Sequence, residues 1–207
     1  CLRKCRERDR RLCKGETGLV KNKRILVGIS GSFCNHSAVF HQLRYLAQNN
    51  SLTFVLSENV YENSTRFFTR EEWIGKLKEI SDQEIIHTLV EAEKVGPNNC
   101  YDLMLVAPCT ATQCAKFVHG IYDDPMTLAM KAMIRNQRNI VIGFASNDAL
   151  GISGANLFRL CAMKYIYVIP FAQDAPFQKP WSVVALWDQC EETIAKALEN
   201  KQIQPIL

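Results

Sequence analysis

A short run of branched apolar residues, Ile25–Ile29, is followed at once by the small polar loop Ser30–Ser32. Such a run is typical of a strand that is covered on both faces of a parallel sheet. Beyond the loop, Val39, Leu43 and Leu46 recur at helical spacing. Strand, polar loop and helix in this order predict a β-α unit of an α/β fold, in which backbone N–H groups at the helix start can face an anion.

The loop itself does not identify a ligand. It carries neither the G-x-G-x-x-G pattern of a dinucleotide fingerprint nor the G-x-x-x-x-G-K-[ST] pattern of a P-loop. From this stretch alone, an anion site and an ordinary β-α turn both remain open.

The same alternation continues along the chain. Further strands are predicted at Leu52–Ser57, Asp102–Ala107, Ile140–Ala145 and Tyr165–Ile169. Helices are predicted at Glu71–Ile80, Gln83–Ala92, Pro125–Asn136, Gly154–Met163 and Ser182–Asn200, and from the turn after the third strand through Ile121. A chain of 207 residues with 47% hydrophobic content suits one sizeable core. We therefore predict one α/β three-layer sandwich with a mainly parallel sheet, flavodoxin-like or Rossmann-like, with a switch point between the first and third strands.

Charge separates the two ends of the chain. Residues 1–24 hold ten basic and three acidic residues, whereas the remaining 183 hold fifteen basic and eighteen acidic ones. We predict a basic extension at 1–21 outside the domain and a flavoprotein-like α/β domain at 22–207. The extension has no aromatic residue to stack on bases, so nucleic-acid binding is not favoured.

Composition also bears on the compartment. No apolar run reaches the roughly 18 residues of a membrane span, so no membrane partner is expected. The nine cysteines form no regular framework and include no C-x-x-C pair, which indicates reduced thiols and no zinc site. These observations favour a cytoplasmic protein.

Small polar residues follow several of the predicted strands. They are Ser30–Ser32, Ser57, Thr110–Thr112 and Asn147–Asp148. Because parallel strands present their carboxyl ends at one edge of the sheet, we expect Ser32, Ser57, Thr110 and Asn147 to converge there. Hydroxyl and amide groups suit a phosphate beside a flat polar ring better than a magnesium ion, which needs several carboxylates.

One stretch resembles a known signature. Ala107–Lys116 reads A-P-C-T-A-T-Q-C-A-K and is followed by G-I-Y-D at Gly120–Asp123. This is similar to the A-P-x-T-x-N-x-x-x-K…G-x-x-D signature of the flavoprotein family, which contains flavin-containing cysteine decarboxylases and flavin prenyltransferases. The resemblance runs from about Asn22 to the C-terminus.

The resemblance implies a flavin mononucleotide (FMN) site. It places the phosphate at Gly31 and Ser32 with help from Ser57, and the isoalloxazine near Pro108, Thr110 and Thr112. Two departures from the family pattern matter. Thr112 replaces the family's asparagine, and Ser146–Gly151 replaces the P-x-M-N-x-x-M-W substrate clamp of the decarboxylases, so that only Asn147 of the clamp is kept in place.

Other segments resemble one branch of this family. They include Ser146–Gly151, Ala155–Leu160 and Ile169–Pro176. That branch supplies one component of a two-subunit synthase that oxidises dihydrodipicolinate to dipicolinate in the mother cell of sporulating bacteria. The resemblance implies a small dicarboxylate substrate, a partner A subunit that brings NAD(P), and Asn147 as the residue contributing to catalysis. Two alternatives stay open: a non-catalytic scaffold that activates the partner, and an FMN-dependent lyase or prenyltransferase.

Several charged residues are further candidates. Arg66 and Lys116 can bind a dicarboxylate, since a guanidinium matches carboxylate oxygens, or can form surface ion pairs. His36 lies close enough in sequence to the first loop to approach a phosphate or substrate. Asp123 and Asp124 precede Pro125, a position at which acids favour a helix N-terminus.

Two regions indicate subunit contacts. The long insertion Glu58–Asn99 separates the second and third strands. The predicted last helix carries Val183, Val184, Leu186 and Trp187 in addition to Ile194 and Leu198, too many apolar residues for one narrow stripe. A homo-oligomer is therefore expected.

Overall fold

The computed structural model describes residues 18–98 and 100–207. The strands are β1 Arg24–Ile29, β2 Ser51–Leu56, β3 Leu103–Cys109, β4 Asn139–Ser146, β5 Ile166–Val168, β6 Phe171–Ala172 and β7 Val183–Ala185. The α-helices are α1 His36–Ala47, α2 Glu58–Glu62, α3 Arg70–Ile80, α4 Leu89–Glu93, α5 Val95–Asn98, α6 Ala111–Val118, α7 Pro125–Arg135, α8 Gly154–Cys161 and α9 Cys190–Leu198. Short 3-10 turns at Phe33–Asn35 and Trp187–Gln189 precede α1 and α9.

The strands form one mainly parallel sheet in the order β2-β1-β3-β4-β7-β6, with β5 also paired to β4. Strand β1 is parallel to β2 on one side and to β3 on the other. The chain therefore reverses its direction of travel across the sheet between β1 and β3, as predicted. Strands β6 and β7 form an antiparallel pair that joins the last residues of β4.

Side chains of the central strands alternate between two cores. Ile25 and Val27 pack into a core with α1, α3 and α9, whereas Leu26 and Met104 pack into a second core with α6, α7 and α8. Both faces of the sheet are thus buried, which explains why β1 and β3 are continuous apolar runs and not alternating ones. The predicted three-layer α/β sandwich is confirmed.

The prediction of a helix at Gln83–Ala92 is wrong in its first half. Only Leu89–Glu93 is helical, and it begins at a capping box on Thr88. The preceding residues lie along the edge of β2, where Leu56 N donates to Ile86 O over 2.9 Å and Ile86 N donates to Phe54 O over 2.9 Å. The unpaired backbone groups of an edge strand need such partners, and they outweigh the local helical pattern.

The prediction of a long last helix is also wrong. Val183–Ala185 is strand β7, Trp187–Gln189 is a 3-10 turn, and the helix is confined to Cys190–Leu198. Val183 and Ala185 are buried beside β4. The excess of apolar residues is therefore used within the fold, so it no longer argues for a contact between subunits. Strand β6 likewise lies in a stretch whose composition predicts a loop, Phe171–Pro180.

The amino-terminal boundary of the domain lies close to the predicted one. Residues 1–17 of the predicted extension are outside the described residues, but Val20 is only 2% exposed and belongs to the first core. Its N–H donates to Glu191 Oε1 on α9 over 3.2 Å. The packed chain therefore includes Val20. Within the described ranges, no helix is long and apolar enough to cross a membrane.

Candidate functional site

An open cavity of about 1340 Å³ lies at the carboxyl edge of the sheet. The loops after β1, β3 and β4 form three of its sides, as expected where parallel strands end together. Among the residues lining it are Gly31, Ser32, Thr110, Thr112, Asn147 and Asp148. This volume exceeds the range of about 300–1,000 Å³ that is usual for a single small ligand. The cavity therefore has room for a cofactor and a small substrate together.

Ser30 joins the ends of the two strands that flank the switch point. Its hydroxyl donates to Pro108 O over 2.7 Å and accepts from Thr110 N over 3.0 Å. Its backbone N–H also donates to Pro108 O, over 3.2 Å. Because Ser30 is 1% exposed, these bonds are made away from water, where a lost partner is costly. They fix the loop after β1 against the loop after β3.

His36 holds the loop after β1 from the other side. Its Nε2–H donates to Ser30 O over 2.8 Å, and its ring stacks on Trp73 and Phe68 with centroids 4.7 and 5.3 Å away. The ring is fully buried, and this burial lowers the pKa of His36 to about 4. His36 is therefore neutral near pH 7 and supports the loop from within the aromatic cluster; it is absent from the cavity wall.

Helix α6 starts at the cavity wall. The Thr110 hydroxyl accepts from Gln113 N over 3.3 Å and so caps the helix. The first N–H groups of a helix have no acceptor within it, so those of Ala111 and Thr112 are available to a ligand. Residue Thr112 is exposed in the cavity, where its hydroxyl can also take part.

The loop after β4 is organised by one carboxylate. Asp148 accepts from Ser146 Oγ over 2.5 Å and from Ser153 Oγ over 2.6 Å. The Ser146 hydrogen bond, followed by that of Ser153, holds the pKa of Asp148 below its usual range. This network fixes the turn that begins at Asn147, whose exposed side chain lies at the cavity.

The segment between β6 and β7 forms a further wall that the sequence did not predict as part of the site. Asp174, Lys179 and Trp181 line the cavity. Lys179 Nζ lies 3.1 Å from Asp174 Oδ2, and Gln173 Nε2 donates to Pro180 O over 2.7 Å, so the segment is cross-linked on itself. Its two prolines gave only a loop signal, because nothing in the local sequence indicates that β6 and β7 fold it over the sheet edge.

The acidic pair before α7 has a structural role. Asp124 Oδ1 accepts from Met126 N over 3.0 Å and from Thr127 N over 3.1 Å, which caps the helix as predicted. Lys116 Nζ lies 2.7 Å from Asp123 Oδ1 and 3.5 Å from Asp124 Oδ2. The Asp123 hydrogen bond is the main cause that raises the pKa of Lys116. Lys116 lines the cavity but is already neutralised by these two carboxylates.

The structure brings most, but not all, of the predicted site residues to one place. Gly31, Ser32, Thr110, Thr112 and Asn147 line the same cavity. Ser57 and Pro108 are buried and do not line it. Pro108 supplies the carbonyl that Ser30 binds. The Ser57 hydroxyl, at the end of β2, is buried with no hydrogen-bond partner.

Comparison with known proteins supports the sequence resemblance. The model of the family described as Flavoprotein matches residues 15–206. The dipicolinate synthase B subunit of Bacillus subtilis is 43% identical over 189 residues, which cover 91% of this chain and 94% of the relative. The branch that the sequence motifs resemble is therefore that of the dipicolinate synthase B subunits, and the predicted resemblance is confirmed.

Solved structures agree with this result. The crystal structure of the dipicolinate synthase B subunit from Bacillus halodurans is similar with a TM-score of 0.83 at 38% identity, over 90% of this chain and 96% of that one. DmrB from Burkholderia xenovorans, solved in complex with FMN as a cubic protein cage, is similar with a TM-score of 0.64 at 14% identity, over 86% of this chain and 97% of that one. The second likeness is one of fold alone.

Proposed function

The chain belongs to the Flavoprotein family, and from this premise we propose that it acts as the B subunit of a dipicolinate synthase. Together with the A subunit, it would oxidise dihydrodipicolinate to dipicolinate in the cytoplasm of the mother cell during sporulation. The observation that carries the proposal is the 43% identity to a dipicolinate synthase B subunit over 91% of the chain.

The residues at the cavity fit an FMN molecule. The loop of Gly31 and Ser32 and the buried, unpartnered hydroxyl of Ser57 are suited to the phosphate end. Thr110 and Thr112, with the free N–H groups at the start of α6, are suited to the polar edge of the isoalloxazine. Pro108 would act through its bond to Ser30. These groups are hydroxyls and amides with few full charges, the donor set that a phosphate beside a flat polar ring requires.

The chemistry proposed is a two-electron oxidation in which the dihydropyridine ring loses two hydrogens. FMN, when bound, supplies a two-electron acceptor at this site. The protein's own part is to orient the substrate: the Asn147 amide, held by the Asp148 turn, is placed to hydrogen-bond the ring or a carboxylate. Buried walls on the sheet side exclude water from one face of the cavity.

A partner is part of the proposal, because a protein named as a subunit implies another one. We assign the NAD(P) site to the A subunit, where it would receive the electrons. We also propose that copies of this chain assemble with one another, as the cage-forming DmrB does.

A second candidate function is that of a non-catalytic scaffold that binds and activates the A subunit. Two observations favour it: Thr112 stands where the family has an asparagine, and His36, the histidine nearest the loop, is buried and neutral. A flavin-dependent lyase or prenyltransferase is less well supported, because Ser146–Gly151 keeps only Asn147 of the decarboxylase clamp.

Visible absorbance of the purified chain separates the candidates at the first step, because bound flavin is yellow. Ser32→Asp is expected to abolish FMN binding, since a carboxylate would repel the phosphate. Ser51→Asp, at the opposite end of the sheet, is the matched control and is expected to bind FMN normally. A colourless chain that still activates the A subunit would support the scaffold function.

Activity is tested by mixing the two proteins of the synthase. We expect neither of them to make dipicolinate by itself and the mixture to do so. Asn147→Ala is expected to lower turnover while the complex stays intact. Full activity of Asn147→Ala would remove its catalytic role and favour the scaffold, and full activity of the isolated A subunit would overturn both functions.

A further inference from the structure

A compact turn presents two adjacent side chains to the cavity. Thr65 N donates to Phe68 O over 3.0 Å, and Phe67 N donates to Thr65 Oγ1 over 3.2 Å. Arg66 and Phe67 stand at the tip of this turn and both line the cavity. Phe67 is 48% exposed, which is unusual for a large apolar residue on a hydrogen-bonded turn unless its face serves a ligand or partner.

The turn is anchored in the aromatic cluster that also supports the loop after β1. The Phe68 ring stacks on His36 and on Trp73, with centroids 5.3 and 4.9 Å apart, and meets Phe33 edge-on at 6.2 Å. The position of Arg66 and Phe67 is therefore fixed relative to Ser30–Ser32. A pair held in this way can read the shape of a ligand as well as its charge.

Arg66 differs from the other cations of the cavity wall. Lys116 is paired with Asp123 and Asp124, and Lys179 is paired with Asp174. No carboxylate of the described ranges lies within ion-pair distance of Arg66, whose guanidinium is instead 4.9 Å from the centre of the Phe67 ring. Its planar fork of N–H donors is thus free for a carboxylate.

The acidic groups of the wall lie elsewhere in the cavity. Asp148 follows β4 and Asp174 follows β6, whereas Arg66 belongs to the segment after β2. Strands β1 and β3 separate β2 from β4, so their ends are roughly 14 Å apart at the usual spacing of strands. An anionic substrate is therefore favoured at the Arg66 side and disfavoured at the Asp148 side.

We propose that Arg66 and Phe67 form the substrate-recognition pair, which binds a planar ring that carries a carboxylate. The carboxylate would lie in the plane of the Arg66 guanidinium, and the ring would pack on the exposed face of Phe67. This inference rests on the proposed function and names the residues that select its substrate. The ring contact separates a carboxylated ring from a phosphate, because a phosphate needs the charge of Arg66 but gains nothing from Phe67.

Calorimetry with pyridine-2,6-dicarboxylate and the purified full chain tests the proposal. Arg66→Gln is expected to weaken binding at least tenfold, and Arg66→Lys by a smaller factor, since an ammonium keeps the charge but loses the fork. Phe67→Leu is expected to weaken binding of this planar ligand but not of glutarate, a flexible dicarboxylate of the same charge. Lys179→Gln removes the same unit of charge from the same wall and is expected to change binding less than threefold.

Two further measurements keep the outcomes distinct. FMN affinity is expected to be unchanged in Arg66→Gln; a loss of FMN binding with normal dicarboxylate binding would assign Arg66 to the cofactor phosphate and overturn the proposal. Equal binding of pyridine-2,6-dicarboxylate by the unmodified chain and Arg66→Gln would overturn it while synthesis by the mixed subunits still upheld the proposed function. Absence of binding to the unmodified chain, together with an inactive mixture, would overturn both.

Discussion

Trp187 Nε1 donates to Asn35 Oδ1 over 3.2 Å and so connects the turn before α9 with the turn after β1. The same Asn35 side chain donates through Nδ2 to Ser32 Oγ over 2.9 Å. A residue 155 positions along the chain from Ser32 therefore supports the loop to which we assign the phosphate. This link makes Trp187, which does not line the cavity, a support for the candidate site.

Gly143→Ala is expected to break this link. A Cβ at Gly143 on β4 would overlap the Trp187 ring and would also press on Ile169. We expect a loss of about 1–3 kcal/mol of unfolding free energy and weaker FMN binding, measured by urea unfolding and flavin titration. Gly75→Ala is the control: nothing lies within 4 Å of its Cβ on an exposed face of α3, and we expect a gain of about 0.5–1 kcal/mol. An unchanged FMN affinity in Gly143→Ala would separate Trp187 from the site.

Ser30→Ala is expected to destabilise the chain by about 1–3 kcal/mol, because Pro108 O and Thr110 N would lose a buried hydrogen-bond partner. The exposed Ser37→Ala on α1 should change stability by less than about 0.5 kcal/mol. Urea unfolding of both variants makes the comparison. Equal stabilities would show that water replaces the lost hydroxyl.

The stability of the chain is expected to fall as the pH drops from 6.5 towards 4. The pKa of His36 is lowered from 6.5 to about 4 by burial, so only the unfolded chain takes up its proton in this window. The stabilisation by neutral His36 is thus fully present above pH 6.5 and is lost at up to about 1.4 kcal/mol per pH unit below it. His36→Phe should flatten this slope above about pH 5, where carboxylates stay ionised. His41→Gln, exposed on α1, should leave the slope unchanged.

Asp148→Asn is expected to lower turnover of the mixed subunits through Asn147. The change weakens the acceptor for Ser146 and Ser153, so the turn that carries Asn147 loses its fixed position. Because the effect acts through Asn147, the double variant with Asn147→Ala should be no less active than Asn147→Ala alone. Additive losses would assign Asp148 an independent role.

Short apolar segments mark the limit of prediction from sequence. The local pattern predicts helix for residues 84–87 and for Val183–Ala185, yet both lie along other strands. Hydrophobic periodicity cannot separate a short buried strand from one or two turns of helix. The deciding factor was the set of unpaired backbone groups on β2 and β4, which belongs to distant parts of the chain.

The candidate site divides along the same line. The sequence by itself determined the layered α/β fold and the polar loops after β1, β3 and β4, because apolar runs and strand-end residues are local and topology brings parallel strand ends together. Only the tertiary structure decided that Ser57 and Pro108 are buried away from the cavity wall, that Lys116 is neutralised, and that Arg66 is left free. Those outcomes depend on which side chains meet across elements far apart in sequence, and neither the spacing of residues nor their chemical type specifies such meetings.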